Sequence, residues 1–317
     1  MTVSKVALAS ISAIVLNASA FAQSPSLQAS GGSFCSRTAK AARTACENDV
    51  RDNYWTTVGS CLNTSNAARR STCIEEARQA QTEAAQKCVA QFDARIDLCE
   101  AVGEAPYDPE FVPQNFVNPL EIGRSIAPNR FFPLVPGSKW TYRRNTETVI
   151  VEVVGEVDKI LGVPCTVVRD VVTQDGKTLE DTIDWFAQQV DGTVWYCGEL
   201  SKEFEDGELV SLHGSWKAGR DLARPGVIMP GAPHVGDVYR QEFALGDAED
   251  AAENRSLSGS ATVPAASCVR SCLVTREFTP VEPDLSELKY YAPNIGRILS
   301  VDRRTGERLE LVRYRIP

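Results

Sequence analysis

The sequence predicts an α+β protein: an N-terminal disulfide-stapled antiparallel helical hairpin, then a curved antiparallel β-sheet or half-barrel domain. Three observations carry that expectation. Residues 36–101 are rich in Ala, Arg, Glu and Gln, with Gly59 as their one glycine and no proline, a composition that favours helix. Six of the ten cysteines fall in residues 35–99. From residue 137 onward, apolar and β-branched residues recur with a period of two in about ten short runs separated by glycine-containing turns.

The chain opens with "MTVSKVALASISAIVLNASAFAQS". Lys5, an apolar run over residues 6–16 and the small-residue pattern Ala20-Phe21-Ala22 predict an export signal over residues 1–22, with cleavage after Ala22 preferred to cleavage after Ala20. The apolar run is too short and too interrupted to read as a membrane anchor. The first cysteine is Cys35, so no lipid attachment is expected at the cleavage point. The expectation is a periplasmic or secreted protein, in which an even number of cysteines points to disulfides.

Residues 23–102 are expected to form the hairpin. Cys35 and Cys46, and likewise Cys88 and Cys99, are eleven residues apart, close to three helical turns, which places each pair on one helix face about 16 Å apart. Positions 35 and 99, 46 and 88, and 61 and 73 are symmetric about one centre, as facing residues of an antiparallel hairpin must be. Of the fifteen connectivities open to six cysteines, the nested set Cys35–Cys99, Cys46–Cys88 and Cys61–Cys73 bonds every pair in one register. Ala42, Ala45, Ala77, Ala80, Ala84 and Ala85 are small enough to let two backbones approach to disulfide distance. With little Leu or Ile to bury, the hairpin needs these staples. The stretch "CLNTSNAARRSTC" therefore reads as a clamped turn. Without CxxC, CxxCH or histidine in the region, metal or haem roles are not expected. The layout resembles the twin-cysteine helical hairpins of exported and intermembrane-space proteins, which implies a scaffold or docking surface.

Residues 103–136 hold seven prolines together with Tyr107, Phe111, Phe116, Phe131 and Phe132. Proline on that scale excludes regular helix, and the aromatics suggest a strap packed on the β region. In residues 137–317 the runs "KWTYRR", "TVIVEVVGEV", "CTVVRDVVT", "TLEDTIDWFAQ", "TVWYCGE", "DVYRQEFAL", "CLVTREFTP", "ELKYYA", "RILSVDRR" and "RLELVRY" read as strands. Asp175-Gly176, Asp191-Gly192, Asp206-Gly207, Asn294-Ile295-Gly296 and Thr305-Gly306 mark tight turns. No long helix is expected here, only a turn or two across residues 247–254. The segments "FFPLVPGSKWTYRR" and "KYYAPNIGRILSV" resemble a group of exported bacterial β-sheet proteins with FPLxPGxxWxY near the start and YYAPxxGxV near the end. Such sheets are similar to half-barrels of the lipoprotein-carrier kind, which shelter acyl chains on a concave face.

The four later cysteines allow three pairings. On an extended strand Cys268 and Cys272 stand about 13 Å apart, beyond disulfide reach, so the expected bonds are Cys165–Cys272 and Cys197–Cys268.

The chain carries 33 basic and 42 acidic residues, a formal net charge of −9. Residues 23–104 are nearly balanced, with 9 basic and 10 acidic residues, so the acidity belongs to the β region. Nucleic acid and anionic membrane are poor partners for it. The two histidines, His213 and His234, lie in Gly/Pro-rich turns without metal-ligand spacing. No GxSxG, phosphate-binding loop or EF-hand pattern occurs. Two acids, Asp184 and Glu199, adjoin aromatic residues in adjacent strands, as a glycan-acting hydrolase requires. The run Asp247, Glu249, Asp250 and Glu253 admits calcium chemistry but reads first as a solvated loop. The segment 214–236, with Trp216, Val227, Ile228 and Met229, is a candidate ligand lid, or equally a strap closing one end of the sheet.

The leading functional expectation is a non-enzymatic exported binding protein for an apolar or amphipathic ligand. A carboxylate-dependent hydrolase using Asp184 and Glu199 is the alternative, and a structural or interaction protein of the cell envelope is the third. Expected partners are a small apolar ligand or an envelope protein. No cofactor, metal, nucleic acid or integral membrane anchor is expected.

Overall fold

The computed structural model describes residues 33–317; the signal expected over residues 1–22 lies outside the described residues. Two long helices, α1 (Phe34–Leu62) and α2 (Ala67–Val102), run antiparallel. Asn66 caps α2 by accepting the Arg69 N–H at 3.0 Å, and Gly103, at φ 89°, ends it. At the start of α1 the Glu104 carboxylate accepts hydrogen bonds from the Ser36 N–H and hydroxyl, satisfying amides that a helix start leaves without partners. The three staples are Cys35–Cys99, Cys46–Cys88 and Cys61–Cys73, with Cα separations of 5.6, 5.8 and 5.7 Å. The helices bury mainly cysteine and alanine along their shared face, so covalent bonds take over much of the role of an apolar seam.

The β region begins with β1 (Lys139–Arg144), β2 (Glu147–Ile160), β3 (Val163–Gln174), β4 (Lys177–Gln188) and β5 (Val194–Leu200). Short strands follow: β6 (Glu203–Glu205), β7 (Glu208–Ser211), β8 (Trp216–Lys217), β9 (Arg224–Met229), β10 (Val238–Arg240) and β11 (Glu242–Phe243). The chain ends with β12 (Ala251–Val263), β13 (Ala266–Phe278), β14 (Ser286–Ala292), β15 (Gly296–Asp302) and β16 (Arg308–Arg315). All pair antiparallel, thirteen of them in the order β10, β12, β13, β14, β15, β16, β1, β2, β3, β4, β5, β9, β11, with β6 beside β4 and β7, and β8 beside β5. The two ends of that path are consecutive in the chain: β10 pairs with β12, and β11, one residue later, pairs with β9. Residues 238–243 thus run along the seam of a nearly closed barrel. Gly226 on β9 makes this approach possible, because a Cβ there would lie 2.1 Å from the Gln241 carbonyl oxygen.

The Asp175-Gly176 and Asp206-Gly207 turns have positive φ at both residues, 51° and 81°, and 50° and 87°, the geometry that suits a two-residue hairpin. Leu161-Gly162 adopts the same geometry, at 52° and 83°. The two motifs behind the exported-family resemblance meet in space: Trp140 Nε1 donates to the Ile295 carbonyl at 2.7 Å, and the Tyr142 hydroxyl to the Arg297 carbonyl at 3.0 Å. The proline-rich strap packs against the barrel wall, where the Phe111 ring lies 4.7 Å from Phe116 and 5.8 Å from Trp195.

Several expectations are corrected. Cys268 bonds to Cys272, with a Cα separation of 5.5 Å, so Cys165–Cys272 and Cys197–Cys268 do not form. The strand is not extended there. Arg270 sits at φ 53°, and Gly259 and Ala261 on β12 face Cys272 and Cys268, two residues against four, a bulge that draws the two cysteines together. Cys165 and Cys197 are buried and unbonded, with their sulfurs 2.9 Å apart. Residues 251–254 begin β12, not a helical turn.

Hairpin and barrel are joined by a buried ion pair. The Arg95 guanidinium grips Glu249 through Nε at 2.9 Å and Nη2 at 2.6 Å, with side-chain exposures of 6% and 1%. Gln91 adds a hydrogen bond to the Val281 carbonyl at 2.8 Å. Four disulfides fit an oxidising compartment. Among the described residues no helix is long and apolar enough to cross a membrane.

A candidate ligand site inside the barrel

Successive residues of a strand face opposite sides of a sheet, and that alternation builds the site. Asp184 and Phe186 on β4 and Tyr196 on β5 point into the barrel, together with Val168 and Asp170 on β3. They line a cavity of about 250 Å³. One wall is apolar or aromatic, formed by Phe132, Trp140, Val153, Val168 and Phe186. Facing it are polar groups from the seam and from β13 to β15: Gln241, Glu242, Glu277, Lys289 and Arg297. Phe186 stacks on Tyr196 with ring centres 4.7 Å apart, and Trp216 meets Tyr196 edge-on at 5.4 Å.

The polar wall is only partly self-satisfied. Glu277 accepts hydrogen bonds from Lys289 Nζ at 2.5 Å, the Tyr291 hydroxyl at 2.8 Å and the Thr275 hydroxyl at 3.0 Å. Burial pushes its carboxyl up, yet the Lys289 charge and these hydrogen bonds prevail and hold it below the usual range. Arg297 stays firmly charged, since Tyr142 and Asp170 outweigh the cost of its burial. Among the described residues, two polar atoms of the lining side chains have no partner, Asp170 Oδ1 and Gln241 Nε2, and Gln241 is only 2% exposed. An unpartnered buried donor and acceptor lining one cavity are what a polar ligand would satisfy.

The remaining acids are held toward their neutral forms. Burial raises Asp184 well above the usual carboxylate range, with Glu199 next in importance. Burial, then Asp250, does the same to Glu242. Asp170 is pushed up to about 6 and Glu199 to about 7, in both cases chiefly by burial.

The sequence-derived candidates fare unequally. Asp184 and Glu199 are direct cross-strand partners, and the Tyr196 hydroxyl, which donates to Asp184 Oδ1 at 2.5 Å, also interacts with Glu199. Both side chains leave the same face of the sheet, Asp184 lining the interior cavity and Glu199 bordering a neighbouring depression with Trp216 and Lys217. Trp216, Val227, Ile228 and Met229 do not form a lid. Trp216 lies on β8, and the other three on β9, whose Val227 and Met229 pair with Trp195 and Val194 of β5. Backbone pairing makes the segment barrel wall, and of the four only Ile228 lines the interior cavity. The acidic run is not a solvated loop either: Glu249 is buried against Arg95, Asp250 lines the cavity, and Glu253 pairs with Arg255 at 2.6 Å. His213 and His234 are exposed.

Sequence reasoning missed Asp170, Gln241, Glu242, Glu277, Lys289 and Arg297 as site residues, and singled out Asp250 only as part of an acidic run. A signal existed for one of them, because Asp170 in "VVRDVV" places a charge on the phase shared by Val168 and Val172. No protein-family model, curated protein or solved structure matches this chain.

Proposed function

We propose that the protein is an exported, periplasmic or secreted binding protein that holds a small amphipathic ligand inside its barrel. The observation that carries this reading is a cavity lined by both aromatic and polar side chains, among them Asp170 and Gln241, whose Oδ1 and Nε2 have no partners among the described residues. Its volume of about 250 Å³ lies just below the ordinary range for ligand pockets, which favours a compact molecule over a long acyl chain. Apolar burial supplies affinity, and the unpartnered donor and acceptor supply orientation.

The test is ligand-observed NMR with a panel of small amphipathic alcohols, amines and acids, run against the protein and against Val168→Phe, which fills the cavity from β3. Binders that lose contact with the variant support the reading. A panel that binds neither protein, or both equally, contradicts it.

The hydrolase reading retains one supporting observation, the Asp184 and Glu199 pair joined through Tyr196. Their opening onto different cavities weighs against a shared substrate. Glycan-hydrolysing activity that disappears in the Asp184→Asn, Glu199→Gln double variant would restore it.

A further inference from the structure

A second cavity, of about 300 Å³, lies where the base of the hairpin meets the barrel. The barrel wall separates it from the first. Trp195 and Val227 face this cavity, while their neighbours Tyr196 and Ile228 face the interior one. Phe34 at the start of α1, Tyr107 of the strap, Trp195 of β5 and Phe243 of β11 give it an aromatic lining.

Arg240 is the charged residue in that lining, and it is only 7% exposed. Its guanidinium lies 5.7 Å from the Tyr107 ring centre and 5.2 Å from that of Phe243. Nη2 reaches the Cys35 sulfur at 3.2 Å, a weak acceptor already committed to a disulfide. Nη1 has no partner.

The charge balance at this junction is incomplete. The groups that act on Arg240 are Glu249, Tyr107 and Arg95. Tyr107 is neutral, because burial raises its hydroxyl far above the usual value, and that hydroxyl donates to the Pro225 carbonyl at 2.9 Å. Glu249 gives both carboxylate oxygens to Arg95. Two buried guanidinium groups therefore share one carboxylate. Burial lowers the Arg240 pKa, but a guanidinium keeps its proton in proteins, and a buried charge without a counter-ion is costly. The strap beside the cavity does not supply the anion. Glu104, between the lining residues Gly103 and Ala105, is engaged by Ser36.

We propose that this junction binds a small organic anion, a monocarboxylate with an apolar body. The carboxylate pairs with the Arg240 guanidinium, whose planar fork suits that geometry once the side chain turns Nη1 toward the cavity, and the body packs against Phe34, Tyr107, Trp195 and Phe243. Because α1, the strap and the barrel all contribute to the wall, an occupied site braces the hairpin against the barrel.

The experiment is isothermal titration calorimetry of the full mature chain with octanoate and with its neutral analogue octanamide. Octanoate is expected to bind one site at least tenfold more tightly than octanamide. Arg240→Gln should abolish that preference. Ala105→Trp, at an exposed rim position, should weaken octanoate binding at least tenfold while leaving Arg240 and its contacts in place, so the test survives if the arginine variant fails to fold. Equal binding of the two probes, no octanoate binding, or octanoate binding unchanged in Ala105→Trp would each overturn the proposal.

Discussion

Asp184 and Glu199 stand directly opposite each other on β4 and β5, with the Tyr196 hydroxyl between them hydrogen-bonded to Asp184 at 2.5 Å. Neither acid has a cationic partner among its hydrogen bonds, and burial raises both. An acid whose folded pKa lies above its unfolded value binds more protons when folded, so stability declines as pH rises from the unfolded value toward the folded one. Asp170 at about 6 and Glu199 at about 7 place that decline between roughly pH 4 and 7. The carboxyls held low, Glu277, Asp181, Glu104 and Asp302, act in the opposite sense but at more acidic pH. Thermal unfolding should therefore show a midpoint at least about 3 °C higher at pH 5 than at pH 8. Asp184→Asn should narrow the difference by raising the pH 8 value. A midpoint that rises steadily from pH 5 to 8 would contradict this account.

Cys165 and Cys197 carry a second prediction. Both are fully buried and their sulfurs are 2.9 Å apart, against about 2.05 Å in a disulfide bond. Burial pushes the Cys197 thiol well up, so it is a poor nucleophile once folded. Oxidation belongs to the folding chain: the two thiols lose two protons and two electrons, which reduce the disulfide of a thiol oxidoreductase to a dithiol. Protein made in an oxidising compartment should show an intact mass ten hydrogens below the fully reduced value, with a Cys165–Cys197 peptide in a non-reduced digest. A deficit of eight hydrogens, with both cysteines alkylated after unreduced denaturation, would mean that the pair stays reduced.

The Arg95 and Glu249 pair should dominate the hairpin's attachment. Arg95→Met leaves the Glu249 carboxylate buried without its cation, which costs about 3–5 kcal/mol in urea unfolding. The double variant Arg95→Met, Glu249→Gln should recover a large part of that loss, because no unpaired charge is then buried. Equal losses in the single and double variants would show that the pair acts through packing and not through charge.

The middle staple gives a fourth prediction. Cys46→Ala with Cys88→Ala should destabilise the protein by about 2–4 kcal/mol, because those helix faces bury little beyond cysteine and alanine. Loss of helical circular dichroism at lower urea than loss of tryptophan fluorescence, which reports mainly on the barrel, would place the effect in the hairpin.

The hairpin was legible because symmetric cysteine spacing is a geometric statement that needs no knowledge of packing, and its three bonds form as the spacing requires. Strands such as "KWTYRR" and "RLELVRY" were legible from alternation. β12 was not, since "AAENRSLSGSATV" has little apolar contrast and is held in the sheet by its neighbours. The Cys268–Cys272 bond escaped because one residue, Arg270 at φ 53°, converts an extended spacing into a bulge. Glu277 escaped for a different reason: in a closed barrel the inward phase can be polar, so Glu277, on the phase of Thr275 and not that of Val274 and Phe278, looks like a surface residue until closure is known. The pairing of Asp184 with Glu199 was visible as proximity in sequence, but the separate cavities they face depend on how β8 and β9 cover β5.

The central claim, a small amphipathic ligand inside the barrel, is tested most directly by native mass spectrometry of the mature protein purified from an oxidising compartment. The account predicts a bound mass of small-molecule size that leaves on denaturation and is absent from protein carrying Val168→Phe. A bare protein after purification, together with failure of every small amphipathic probe to bind it, would contradict the claim and leave the barrel as a scaffold for the hairpin.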